Sequence, residues 1–233
     1  MKIKLLIAVA STLVANSVIA QSVFEGAYVQ LGIGLDQNSI SSSQASLSIR
    51  SGALWPNETI PSSSASSFSG VVGLGYNFKI NDDFLLGVGA DYGLVPSKAS
   101  NGGPSTDEFF AGTQTKISNR YNIFITPGYV IDQNKLTYLK VGYSSQTVKV
   151  TDLTTSEGTY GETIGSGSAN GYVLGLGYKQ MIAKGFYGFG EANYYSYSGA
   201  SFGGLTLSDG SGISGYSPKT SAYQYLVGVG YKF

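Results

Sequence analysis

Eight segments of the 233-residue chain alternate large apolar side chains with small or polar ones at every second position. This period is typical of β-strands with two different faces, because successive side chains of a strand point to opposite sides. Each segment has about ten residues or more, which exceeds the usual five or six of soluble strands and is enough to cross a bilayer at a tilt. The predicted strands span 26–36, 67–78, 84–95, 116–131, 135–150, 168–179, 185–197 and 220–233.

The connections between the predicted strands alternate between short and long. Short turns follow the second, fourth and sixth strands, and long polar loops follow the first, third, fifth and seventh. The pattern predicts an all-β fold, an eight-stranded antiparallel up-and-down transmembrane β-barrel with short periplasmic turns and four long extracellular loops. The long loops span 37–66, 96–115, 151–167 and 198–219.

Residues 1–20 have the pattern of a secretory signal peptide. Two lysines form a basic start, residues 5–14 are apolar, and 18–20 resemble a small-residue cleavage site. We expect cleavage before Gln21, which leaves 21–233 as the barrel domain. The apolar stretch is shorter than the ~20 residues of a spanning helix, which argues against the alternative of an uncleaved membrane anchor.

The composition excludes several kinds of chemistry. The chain contains no His and no Cys, which removes the imidazole base, the thiolate nucleophile and zinc sites built from these ligands. Only 12% of its residues are charged, well below the roughly 25% of a soluble domain. A G-x-G-x-x-G match at 210–215 lies in a polar loop, without the strand and helix that dinucleotide binding requires. The sequence therefore predicts a protein that is not an enzyme, with no cofactor, no metal and no nucleic-acid partner.

Alternation assigns the apolar face of each strand to lipid and the other face to the barrel interior. The interior then receives four mid-strand charges, Asp91, Arg120, Lys140 and Glu191, which sum to zero. Eight strands enclose space only for side chains or one small ligand, so these charges must be paired. We expect a salt-bridge network that fills the lumen, with a proton or ion pathway as the functional alternative. Polarity alone places Glu191 inward, and a bulge near Gly190 would reverse the faces of the seventh strand.

A tyrosine marks the end of each even-numbered strand. A short motif of alternating Gly and apolar residues leads to Tyr76, Tyr178 and Tyr231, and a weaker variant leads to Tyr129. These strands run in one direction in a barrel, so the four rings fall at one membrane interface, where an amphipathic phenol is favoured. A soluble barrel with packed tyrosines is the alternative, but it does not account for the signal peptide or the loop asymmetry.

With these features the chain resembles the eight-stranded outer-membrane β-barrels of Gram-negative bacteria, which include the OmpA-like transmembrane domain and the opacity-type surface proteins. The resemblance covers residues 21–233. It implies a place in the bacterial outer membrane, contact with lipid and lipopolysaccharide, and insertion by the barrel-assembly machinery. The family's assembly signal is a terminal Phe preceded by aromatic and apolar residues at alternate positions. Here it falls on Tyr223, Tyr225, Val227, Val229, Tyr231 and Phe233.

The long loops contain few residues that suggest a ligand. Asp107 with Glu108, and Glu157 with Glu162, are carboxylates suited to a divalent ion or a basic partner, although solvated loop charge is the simpler interpretation. Trp55 is the only Trp, and it either anchors a partner or packs its loop against the barrel rim.

Three functions fit such a barrel. The first is a non-enzymatic anchor that holds four loops outside the cell for structural or adhesin-like surface roles. The second is a narrow channel for small or hydrophobic solutes. The third is an outer-membrane enzyme, but the small-barrel enzymes that this chain resembles use a catalytic His that it lacks. A neutral interior of paired charges favours the anchor over the channel.

Deleting Phe233 is expected to lower insertion of the barrel while synthesis and secretion stay unchanged, because the terminal aromatic residue belongs to the implied assembly signal. The amount of heat-modifiable folded protein in outer-membrane fractions measures insertion. The ratio of precursor to mature chain measures secretion. Normal amounts of folded barrel in the deletion variant would show that the terminal signal is not used.

Overall fold

Thirteen β-strands make up the part of the chain that the computed structural model describes. The described residues are 23–48, 54–60, 62–102, 112–152, 163–199, 205–206, 212–214 and 217–233. The strands are β1 (Gly26–Ile40), β2 (Ser43–Ser48), β3 (Leu54–Ile60), β4 (Ser63–Lys79), β5 (Phe84–Gly93), β6 (Ser97–Gly102), β7 (Gly112–Asp132), β8 (Lys135–Asp152), β9 (Thr163–Ala183), β10 (Phe186–Tyr197), β11 (Leu205–Thr206), β12 (Gly212–Ser214) and β13 (Thr220–Lys232). Within these ranges no helix is long and apolar enough to cross a membrane.

Eight of these strands close into a ring of antiparallel pairs. The order around the ring is β1, β4, β5, β7, β8, β9, β10 and β13, and β13 pairs with β1. The closing ladder runs from Tyr28 opposite Lys232 to Ile40 opposite Thr220. β6 follows β5 after a short break and pairs with residues 112–117 at the start of β7. The ring confirms the eight-stranded up-and-down barrel predicted from the alternation.

Several barrel strands are longer than predicted at the end that carries the long loops. β7 begins at Gly112 instead of 116, β9 begins at Thr163 instead of 168, and β1 continues to Ile40. The added residues of β9 are mostly Ser, Gly and Thr, and their ladder to β8 continues up to Thr151. The barrel wall therefore continues past the point where the apolar alternation stops.

The first and fourth long loops contain regular structure that the sequence analysis did not predict. β2 pairs with β3 in the first loop, and β11 pairs with β12 in the fourth. β12 also pairs with β2, with Ile213 opposite Leu47. The four short strands form a second sheet in the order β11-β12-β2-β3, which joins the two loops above the barrel and is called the loop sheet below.

The two faces of the barrel strands follow the predicted alternation. On β13, Val227 is 63% exposed, whereas the adjacent Leu226 is 5% exposed. On β10 the residues Tyr187, Phe189 and Glu191 are all buried, so the alternation continues through Gly190 without a bulge. The register shift between β10 and β9 lies at the turn instead, next to Phe186.

A bulge in β7 changes which of its residues face outward. Ser118 pairs with Thr147 of β8 and Tyr121 pairs with Ser145, so β7 has one extra residue over this stretch. Asn119 lies in the bulge with a positive φ of 52°, a conformation that Asn tolerates better than most residues. Its side-chain oxygen accepts a 2.9 Å hydrogen bond from the Tyr92 hydroxyl. Beyond the bulge the pattern of inward and outward residues is shifted by one position.

Inward glycines make room for aromatic rings in the lumen. A Cβ on Gly230 would overlap the ring of Tyr187, and a Cβ on Gly177 would overlap the ring of Tyr138. Each tyrosine therefore lies against the bare backbone of a neighbouring strand. The outward Gly190 is different, because its Cβ would meet nothing nearer than the Leu226 carbonyl oxygen at 4.0 Å.

Replacing Gly230 with Ala is expected to destabilise the barrel by about 1–3 kcal/mol, because the new methyl group displaces the ring of Tyr187. Replacing Gly190 with Ala should change stability by less than about 0.5 kcal/mol, since the site is open. The urea midpoint of the heat-modifiable form, measured on purified protein in micelles, compares the two variants. Equal midpoints would contradict the inward position of Gly230.

Candidate functional site

Lys140, on β8, holds two carboxylates of the lumen together. Its Nζ lies 2.6 Å from Asp91 Oδ2 of β5 and 2.9 Å from Glu191 Oε1 of β10. Lys140 is only 1% exposed, and both carboxylates are buried. Each carboxylate also accepts an amide hydrogen bond, Asp91 from Asn122 and Glu191 from Asn193. These three of the four predicted lumen charges form one cluster that ties three strands together.

Arg120, on β7, belongs to a different ion pair. Its Nη1 lies 2.9 Å from Asp36 Oδ2 of β1, and its Nη2 donates to Asn38 Oδ1 at 3.0 Å. Its Nε donates to Gln146 Oε1 at 3.2 Å. The partner Asp36 was missing from the predicted set because the first predicted strand ended at that residue. Continued alternation along β1 would have placed it inward.

Gln224 of β13 links the two charge clusters. Its Nε2 donates to Asp36 Oδ1 at 2.8 Å, and its Oε1 accepts hydrogen bonds from the Tyr195 hydroxyl at 2.9 Å and from Asn193 at 3.2 Å. Asn193 in turn donates to Glu191, and the guanidinium of Arg120 lies 4.6 Å from the centre of the Tyr195 ring. The buried charges thus form one connected polar network, in which the members fix each other's positions.

Lys179, on β9, is a third buried cation that the sequence analysis missed. Its Nζ lies 3.9, 4.9 and 5.2 Å from the ring centres of Tyr28, Tyr187 and Tyr138. Among the described residues it forms no ion pair, so contacts with ring faces replace the carboxylate. Alternation could have identified this residue, since Lys179 is two residues after the inward Gly177 and therefore lies on the same face of the strand.

An apolar layer fills the end of the lumen nearest the short turns. Phe24, Leu85, Leu136 and Tyr138 are buried together there. Phe24 precedes β1, and its carbonyl accepts a 2.8 Å hydrogen bond from Asn77 Nδ2. The interior therefore changes from paired charges to packed rings and aliphatic groups along the barrel axis.

The cavity beside Arg120 is small. Its volume is about 20 Å³, and Asp36, Asp91 and Tyr195 are among the residues around it. A single water needs roughly 10–15 Å³ by the same measure, so this space suits one or two waters and not a column of them.

Four tyrosines form a ring at the turn end of the outer surface. Tyr129 is 45% exposed, Tyr178 is 38% exposed and Tyr231 is 36% exposed, while Tyr76 is half-buried. Phenylalanines extend this turn-end ring, with centroid distances of 4.6 Å from Tyr76 to Phe78 and 5.3 Å from Phe84 to Tyr129. These are the four tyrosines that the sequence placed at one interface.

A second set of tyrosines, which the sequence analysis did not identify as an interface ring, lies near the loop end. Cross-strand pairing places Tyr92 opposite Tyr121, Tyr143 opposite Tyr172 and Tyr194 opposite Tyr223. We call these six residues the loop-end belt. On β7, eight residues separate Tyr121 from Tyr129, about 26 Å along the strand and about 20 Å of height at a tilt near 40°. An apolar band between two aromatic girdles is typical of an outer-membrane barrel.

The sequence model of the outer membrane protein beta-barrel domain matches residues 6–233. The chain belongs to this family. It is therefore a protein of the bacterial outer membrane, with its short turns in the periplasm and its long loops outside the cell.

Solved structures of similar shape include several outer-membrane proteins. Ail, the attachment invasion locus protein of Yersinia pestis, in complex with the heparin analogue sucrose octasulfate, is 14% identical with a TM-score of 0.44, and the match covers 90% of this chain and 99% of that one. Neisserial surface protein A is 19% identical with a TM-score of 0.42 and coverages of 90% and 98%. The outer membrane protease OmpT from Escherichia coli is 11% identical with a TM-score of 0.48 and coverages of 90% and 97%. No curated protein matches the chain.

The residues of the implied assembly signal share the lipid-facing side of β13. Tyr223 is 50% exposed and Tyr225 is 56% exposed, and the series ends at Phe233. The ring of Tyr231 lies 4.8 Å from Phe186 and 5.1 Å from Phe233. The outer-membrane barrel thus presents the side chains of the signal together on one face, and their role in assembly stays a prediction.

The loop candidates of the sequence analysis lie outside the described residues. These are Asp107, Glu108, Glu157, Glu162, half of the 210–215 motif (210, 211 and 215) and the side chain of Trp55. In the described part of the barrel, no group of three acidic residues is placed to hold a metal ion.

Replacing Lys140 with Met is expected to destabilise the outer-membrane barrel by about 3–5 kcal/mol, because Asp91 and Glu191 lose their shared cation while they stay buried. Adding D91N and E191Q should restore part of the loss, since no unpaired charge then remains. The control is Lys135→Met, which removes an exposed turn lysine paired with Asp132 at 2.8 Å and should have little effect. Urea midpoints in micelles compare the variants, and equal midpoints for K140M and K135M would contradict the buried network.

Proposed function

We propose that this protein is a non-enzymatic outer-membrane anchor, in which a closed barrel holds loops at the cell surface for structural or adhesin-like roles. The observation that carries the proposal is the paired charge network across the lumen, from Arg120 with Asp36 to Lys140 with Asp91 and Glu191. A network of this kind fills a barrel and connects its walls.

The charge network favours a closed lumen over a narrow channel. A channel needs polar groups that contact a continuous path of water, and the cavity beside Arg120 measures about 20 Å³. Lys140 is in contact with two carboxylates and the ring of Phe124, at 4.3 Å from the ring centre, so its ammonium has little room for an ion or solute. The apolar layer around Phe24 and Leu136 closes the periplasmic end further.

The side-chain chemistry supports a role without catalysis. The chain has neither His nor Cys. The buried carboxylates Asp36, Asp91 and Glu191 each form an ion pair with Arg120 or Lys140, so all three are engaged by partners within the lumen. Carboxylates that are engaged in this way link the strands of the barrel and are poorly placed to contact a substrate.

The loop sheet offers a surface for an extracellular partner. Its four strands connect the first and fourth loops, so these loops are presented as one unit. A polar cavity of about 400 Å³ lies at the base of this region, with Ser39, Ser64, Tyr197 and Lys219 among the residues around it. This volume is in the range of small-molecule sites, and hydroxyl groups suit a hydrophilic ligand.

The path of the chain to the outer membrane is part of the same proposal. Residues 1–20 serve as the signal peptide that is removed before Gln21. The residues of β13 that end in Phe233 then serve as the signal for the barrel-assembly machinery. The pattern of each segment supports these two roles.

Single-channel recording in planar bilayers tests the closed lumen. The purified full-length protein is expected to give no regular current steps, because the charge network leaves no water column. Arg120→Ala is the variant for comparison with the unsubstituted protein. It removes the guanidinium that lies between Asp36, Asn38 and Gln146 in the lumen, and its loss should open a leak. Regular steps from the unsubstituted protein would favour the channel over the anchor.

A further inference from the structure

Three lysines lie side by side on the outer surface of the barrel, on its extracellular extension. Lys98 of β6 is directly opposite Lys116 of β7, and Lys116 is directly opposite Lys149 of β8. Neighbouring strands are about 4.8 Å apart, so the row spans about 10 Å across three strands. We call these residues the lysine row.

The bulge in β7 turns the lysine row outward. Beyond the bulge Ile117 is buried, at 3% exposed, which places its neighbour Lys116 on the outer face. Lys98 and Lys149 are exposed, and Lys116 is partly exposed. Without the extra residue, the alternation from Tyr121 would have pointed Lys116 into the barrel.

The charges of the lysine row are not balanced within the described part of the protein. No carboxylate there forms an ion pair with Lys98, Lys116 or Lys149, in contrast to the turn lysines Lys79 and Lys135. Like charges directly opposite each other on neighbouring strands are destabilising. An external anion that contacts all three ammonium groups would offset this repulsion.

The surface around the lysine row is suited to sugars. The neighbouring outward positions on β7, β8 and β9 carry hydroxyl or amide groups and no large apolar side chain. They are Gln114, Ser118, Thr147, Thr151, Ser166 and Ser168. Small polar side chains can donate to and accept from sugar hydroxyls next to a charged group.

The height of the lysine row above the membrane identifies the anion. Lys116 is five residues beyond Tyr121 of the loop-end belt, and the bulge takes up one of them, so the separation is about 13 Å along the strand and about 10 Å of height at the usual tilt. This position is outside the apolar band, at the level of the sugar and phosphate groups of the outer leaflet. We propose that the lysine row binds phosphate groups on the saccharide part of lipopolysaccharide.

The proposal gives this barrel a preferred glycolipid contact on one side of its wall, at β6, β7 and β8. The proposed binding of lipopolysaccharide depends on the outer-membrane location of the family. It does not depend on whether the lumen is closed. A conducting barrel could have the same site, so bilayer recordings and lipid binding test separate statements.

The experiment measures binding of fluorescently labelled lipopolysaccharide to the full-length protein in micelles. The test variant is K98Q/K116Q/K149Q, and its affinity is expected to fall about tenfold or more because three charge-assisted contacts are lost. The charge-retaining variant K98R/K116R/K149R should bind much like the unsubstituted protein. K79Q/K135Q/K184Q removes three lysines at the periplasmic turns and should leave the affinity unchanged.

Two further probes identify the group that is bound. Lipopolysaccharide stripped of its phosphates should bind weakly and equally to all variants, and added salt should weaken binding of the intact form to the unsubstituted protein. Unchanged affinity of the triple Gln variant, or equal binding of the phosphate-free lipid, would overturn the proposal. The proposal would also be overturned if the triple Gln variant lost binding to heparin but kept its affinity for lipopolysaccharide. The lysine row would then be a site for a soluble sulfated polymer.

Discussion

The closure of eight strands into a ring determines the rest of the structure. Lipid offers no hydrogen-bond partners, so each barrel strand must pair on both sides, and β13 completes the ring by pairing with β1 along its whole length. Eight strands make the lumen narrow, which leaves space for side chains or at most one small ligand. Any charge that enters this space must find its partner inside. The ion pairs of Lys140 and Arg120 are therefore a consequence of strand number as much as of local sequence.

Alternation was sufficient to predict the barrel because lipid and lumen impose opposite chemistry on the two faces of each strand. Alternation also placed Asp91 and Lys140, and polarity placed Glu191, on faces that the structure brings together. It did not identify which charge pairs with which, because pairing depends on the stagger between strands that are distant in sequence. Arg120 finds its partner in Asp36, 84 residues away on β1.

Three features were beyond the sequence pattern for physical reasons. Past the membrane both faces of a strand contact water or other protein, so the alternation weakens, and the polar starts of β7 and β9 look like loops. The loop sheet depends on pairing between segments more than 150 residues apart, as with Ile213 opposite Leu47. The bulge at Asn119 is a third case, because one extra residue reverses the faces without any change in composition.

The two sets of cations in this protein obey different constraints. Lys140 and Arg120 are buried, and their charges are balanced by carboxylates in the same lumen, because water cannot reach them in quantity. Lys98, Lys116 and Lys149 face outward above the membrane, where solvent weakens their repulsion without removing it and the partner can come from outside the chain. On β7 a single-residue bulge lies between a buried cation and an exposed one, because Arg120 faces inward on one side of it and Lys116 faces outward on the other. The same strand thus stabilises the interior with one cation and offers another to the phosphate layer that surrounds the barrel.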